Sequence, residues 1–173
     1  MGYVQSANLS LLLLRVVFGT FLAAHGVNKV KGGIRGTAGW FGSIGMKWPL
    51  AQAVLAATTE IGAGLLLAVG LLTPLAAAGV VGVMVVAIVV AHRKAGFFVF
   101  RPGQGWEYCA SIVAVAVAIG IAGPGEWSLD HVIGWHPSAT LSGLVAGVGG
   151  LLAAALQLAV CWRPAPTPQG AAS

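Results

Sequence analysis

The chain has 173 residues, of which 58% are hydrophobic and 8% charged, with 26 glycines and a formal net charge of +5. Soluble domains carry roughly a quarter charged residues, so an ordinary soluble fold is excluded, and the chain is too apolar to be disordered. Its basic pI of about 9.8 accompanies a mean hydropathy of +0.91, which makes the excess charge a matter of membrane topology and not of nucleic-acid binding.

One membrane span takes about 20 apolar residues. In chain order, uninterrupted apolar stretches predict helices over Leu9–Asn28, Leu50–Leu72, Pro74–His92, Glu107–Ala122 and Ala139–Trp162. The first has no basic residue before Arg15 and no small-residue cleavage pattern after His25, so it reads as a retained span and not as a secretory signal. Thr73-Pro74 marks a tight turn between the second and third, because proline at a helix start gives up only a donor that would be orphaned anyway. Residues 163–173, with Pro164, Pro166 and Pro168, read as a disordered tail.

Eight of the nine basic residues fall in alternate connections. Lys29, Lys31, Arg35 and Lys47 lie between spans one and two, Arg93, Lys94 and Arg101 between three and four, and Arg163 follows span five. By the positive-inside rule the amino terminus is outside and the carboxyl terminus cytoplasmic, which requires an odd number of spans. Cys109 and Cys161 form no CxxC pair and read as small apolar fillers. Trp40, Trp48 and Trp106 suit interfacial anchoring at the cytoplasmic helix ends.

Ionisable groups at bilayer depth are expensive and therefore informative. Here they are Arg15, His25, Lys29, Glu60, His92 and Glu107. On a helical wheel Arg15, His25 and Lys29 share one stripe of the first span. Similar depths predict that Arg15 pairs with Glu60. His92 ends span three and Glu107 opens span four, so all six are expected to converge on a polar core in the cytoplasmic half, able to hold a headgroup or handle protons. They contain no HxxxH or ExxH pair, so no metal centre is expected from them. Glycines make small-residue stripes. Gly62, Gly64, Gly79 and Gly82 are expected to join spans two and three, and Gly143, Gly147 and Gly150 to let span five pack closely on a neighbour; with only Gln157 polar within it, span five is expected outside the polar bundle or in a homo-oligomer contact through those glycines.

Arg15, Gly19, Phe21, His25, Gly26 and Lys29, in the form R-x3-G-x-F-x3-H-G-x2-K, precede Phe41, Gly45 and the run from Glu60 to Pro74. With Met84, Ala87, His92, Glu107 and the Gly123–Asp130 loop, this pattern resembles the DoxX family of small bacterial membrane proteins over roughly residues 9–131. The resemblance implies a four-helix transmembrane domain over 1–131; with the outer loop and fifth transmembrane helix over 132–162 that hydropathy predicts, and the tail, the chain reads as an all-α membrane protein. Ala63 stands where the family usually has the first glycine of a pair, and span five lies beyond the usual four-helix end. The family is similar to a subunit of archaeal quinol oxidase and thiosulfate:quinone oxidoreductase. This implies a membrane-embedded partner of an oxidoreductase system concerned with thiol and oxidative stress, with membrane lipids and a protein partner around it and a quinone as the cofactor to look for. Two other readings stand beside it: a non-catalytic scaffold or assembly factor, and a small-solute or lipid transporter.

Overall fold

Backbone polar groups in hydrocarbon must be satisfied within their own segment, and this chain does so with helices alone among its described residues. The structure is a computed structural model that describes residues 2–164. Most of the expected tail, 163–173, therefore lies outside the described residues. The helices are α1 (Tyr3–Lys31), α2 (Ile34–Ser43), α3 (Pro49–Val69), α4 (Thr73–Ala95), α5 (Glu107–Ala122), α6 (Leu129–Val132) and α7 (Ala139–Cys161). A π turn interrupts α4 at Ile88–His92, and another interrupts α7 at Val145–Gly149.

Helices α1, α3, α4 and α7 are long and apolar enough to cross a membrane. Helix α5 has 16 residues, or about 24 Å, somewhat less than the ~30 Å hydrocarbon core. It returns the chain from the end carrying most basic residues, here the basic end, to the end carrying Glu126 and Asp130, the acidic end. Helix α1 overruns its predicted bounds at both termini. Helix α2 falls in a stretch expected to be a loop. Its Ala38 and Phe41 are buried against Met46 and Ala53 while Trp40 stays exposed, so it lies along the basic end with one face on the bundle.

Small residues set how the helices meet. Helix α1 lies on α3, α3 on α4, and α4 against both α5 and α7. At the α1–α3 crossing a Cβ on Gly19 would stand 2.5 Å from the Gly64 carbonyl, and one on Gly64 would stand 2.5 Å from the Gly19 carbonyl. The two backbones thus touch, with Ala23 and Ala68 flanking the contact.

This corrects the expected role of several glycines. Gly64 serves α1, Gly82 faces α7, and Gly62 has nothing within 4 Å; only Gly79 meets Ala63 across the α3–α4 contact. Span five is also built in, and does not lie outside the bundle. Gly143 and Gly147 face Ile121 and Val117 of α5, and Gly150 meets Val81 of α4. That stripe meets neighbouring helices of the same chain. At the basic end Gln157 donates to Gln52 at 2.8 Å, Trp162 Nε1 donates to the Ile44 carbonyl at 2.8 Å, and Lys47 N donates to the Cys161 carbonyl at 2.7 Å.

Candidate functional site

The six residues expected to converge are divided among separate places. The α1–α3 crossing decides which can meet. Gly26 packs on Ala57, Glu60 and Ile61, so Glu60 is level with Gly26, about eleven residues and about 16 Å along α1 from Arg15. The expected Arg15–Glu60 pair is therefore not formed. Glu60, 3% exposed, pairs with Lys29, whose longer side chain reaches back along the helix and keeps 28% of its surface exposed. Glu60 Oε2 is buried without a hydrogen-bond partner among the described residues.

Arg15 belongs to the acidic end and is wholly buried. Its Nη2 donates to the Trp127 carbonyl at 2.6 Å, and its guanidinium lies against Gly70, the left-handed residue that ends α3. A side chain at Gly70 would occupy the space of that guanidinium. Arg15 Nε and Nη1 have no partner among the described residues.

Asp130, also wholly buried, stands on the other side of Gly70: its amide donates to the Gly70 carbonyl at 2.8 Å, and no ion pair within 4 Å joins its carboxylate to Arg15 among the described residues. Asp130 accepts from Leu72 N at 2.7 Å, Thr73 N at 2.9 Å and the Thr73 hydroxyl at 2.7 Å. It caps the start of α4 from a distant loop, where a carboxylate also complements the positive end of the helix dipole. Leu72 takes the left-handed region at φ 49°, a conformation disfavoured for a bulky side chain, and its amide bonds to the carboxylate.

Next to this node Asn8 and Glu126 clamp α1 to the same loop: Asn8 Nδ2 donates to Glu126 Oε2 at 2.8 Å, and Glu126 N donates to Asn8 Oδ1 at 3.0 Å. Asp130 and Asn8 escaped the residue-by-residue reading because neither lies deep in a predicted span. The available signal was that Asp130 is the only aspartate in the chain.

At the basic end His92 and Glu107 organise the α4–α5 connection. His92 Nδ1 lies 2.7 Å from the Gln104 carbonyl, and Nε2 lies 2.6 Å from the Tyr108 hydroxyl. A carbonyl only accepts, so Nδ1 donates to Gln104, while the Tyr108 hydroxyl, able to donate or accept, pairs with Nε2. Glu107 Oε1 accepts from Val99 N at 3.0 Å, and Phe97 stands edge-on to Trp106 with ring centroids 4.8 Å apart. Both ionisable side chains are thereby used in holding a loop.

His25 stands apart. Although Leu22 and Gly26 beside it are buried, His25 is exposed on the outward flank of α1, where Phe21, Ala24 and Asn28 join it around a shallow hollow of about 290 Å³. Its wheel position borders the buried stripe of Arg15, Gly19, Leu22 and Gly26 without entering it.

No three His, Cys, Asp or Glu side chains among the described residues are grouped so as to enclose a metal ion. No curated protein and no solved structure matches the chain. The DoxX family model matches residues 10–93; α5 and the Asp130 loop lie beyond it. The matched stretch runs from α1 into the end of α4 and carries Arg15, His25, Lys29, Glu60 and His92, and over it the chain carries a DoxX domain, that of a family of membrane proteins.

Proposed function

We propose that this protein is the membrane-embedded partner of an oxidoreductase system and takes a quinone or lipid headgroup from the bilayer on the flank of α1. The observation that carries this reading is the exposed His25 beside Asn28, Phe21 and Ala24 on an otherwise apolar, outward-facing surface. An imidazole on a lipid-facing flank is costly unless something polar meets it. His25 lies about six residues, or about 9 Å, from the end of α1, a headgroup depth and not the bilayer centre. Its ring can both donate and accept, which suits a carbonyl or hydroxyl headgroup, and Asn28 adds an amide one turn along. Phe21 and Ala24 offer an apolar wall for the start of an isoprenoid or acyl tail. His92 and Glu107, bound to the α4–α5 connection, are left out of this site. In this reading the basic end faces the cytoplasm of a bacterial cell and the amino terminus lies outside, which the gathering of basic residues at one end supports through the positive-inside rule.

Lipid extraction of protein purified from native membranes, with quinone measured by mass spectrometry, tests the reading. Quinone should accompany the wild-type chain and fall severalfold in His25→Ala and Asn28→Ala. Equal quinone in all three, or none in any, overturns it. A second reading, a non-catalytic scaffold, is favoured by the commitment of Arg15, Asp130, Lys29 and His92 to internal contacts.

A further inference from the structure

The acidic end carries a second hollow, of about 430 Å³, between the first turns of α1 and the loop after α5, and Glu126, His131 and His136 are among the residues lining it. The two histidines are exposed, and their ring centroids are 5.3 Å apart with planes at 61°. This closeness is built by the backbone. Ser128 caps α6 by accepting from His131 N at 3.2 Å. The helix then closes with Gly134 N donating to the His131 carbonyl at 3.1 Å and Trp135 N donating to the Asp130 carbonyl at 2.9 Å. Gly134 is left-handed at φ 71°. This is the bond pattern of a Schellman turn, which folds the chain back on the helix it ends. Pro137 restricts His136 to extended backbone, and Asp130, fixed to the start of α4, anchors the whole turn.

We infer that His131 and His136 form an exchangeable two-imidazole site for a divalent transition metal such as Zn2+ or Ni2+, with water completing the coordination. Metal–nitrogen bonds of about 2.0–2.1 Å and tetrahedral angles put the centroids of two imidazoles on one ion about 5 Å apart, the separation found here. Rotation about χ2 chooses which ring nitrogen faces the ion. Glu126, whose Oε2 is held by Asn8, lines the same hollow and supplies negative charge through bridging water. With two protein ligands the site is open, unlike the closed four-ligand sites that hold structural zinc.

The test is titration of the full-length, chelator-stripped protein in detergent with Zn2+ alone, read by competition with a chromogenic chelator, and repeated with Ni2+. One ion per chain should bind, and His131→Ala or His136→Ala should each weaken it by about tenfold or more. Gly134→Val, which keeps both imidazoles but strains the turn, should also weaken it, whereas His25→Ala should not. Unchanged elution on size exclusion confirms that the exposed substitutions leave the fold intact. Wild-type binding that survives His131→Ala with His136→Ala, or no binding by the wild-type chain, overturns the inference.

Discussion

At the acidic end Arg15 and Asp130 are both wholly buried, and the carboxylate takes three hydrogen bonds from the start of α4. Midway along α3 Glu60 is equally deep in the protein, but its one partner, Lys29, remains partly exposed, and Oε2 is left unpartnered. The first arrangement joins α1, the α3–α4 turn and the loop after α5, so removing any member leaves buried polar groups of the others without a partner. The second joins only α1 and α3, and Lys29 has a flexible stem that can carry its charge toward the interface. Burial alone does not say how costly a charge is to disturb; the freedom of its partner does.

The sharpest way to break this comparison is Asp130→Ala. It removes the cap of α4 with its three hydrogen bonds and takes away the buried negative charge across Gly70 from Arg15, with an expected loss of about 3 kcal/mol, read as reduced yield and a lower midpoint of thermal unfolding in detergent. In the Lys29–Glu60 pair the two halves should differ. Lys29→Met strands the Glu60 carboxylate and should cost about 2 kcal/mol, while Glu60→Gln frees Lys29 to extend and should cost less than about 1 kcal/mol. Equal losses in these two variants would show that Lys29 is as firmly held as Arg15. The smallest expected effect is His92→Phe, which gives up the Gln104 and Tyr108 bonds in a loop also held by Glu107 and aromatic packing. About 0.5 kcal/mol is expected, with faster amide exchange confined to the α4–α5 connection.

Much of the fold was legible because hydropathy is a local property. Each of the five predicted spans corresponds to a helix, and the tight turn at Thr73-Pro74 falls where α4 begins. Helix α2 was hidden: its Ile34, Ala38 and Phe41 occur at helical spacing, but ten residues among glycines and basic side chains give a weak periodic signal. The candidate site was less legible. Depth counted from helix ends paired Arg15 with Glu60, but α1 continues to Lys31, and the backbone contact of Gly19 with Gly64 slides Glu60 level with Gly26. The wheel likewise placed His25 in a stripe with Arg15 and Lys29, since an arc of roughly 80° cannot separate a buried position from its outward neighbour.

The amino-acid sequence by itself determined that this is an all-helical membrane protein, where its helices run, and that its basic residues gather at one end. These follow from the cost of exposing peptide groups and charges to hydrocarbon, which each segment meets on its own. Only the tertiary structure decided that Glu60 belongs to Lys29, that Asp130 caps α4 across Gly70 from Arg15, that His25 faces outward, and that His131 and His136 stand together. Those outcomes depend on contacts between distant segments, above all on glycines that let two backbones meet at one register.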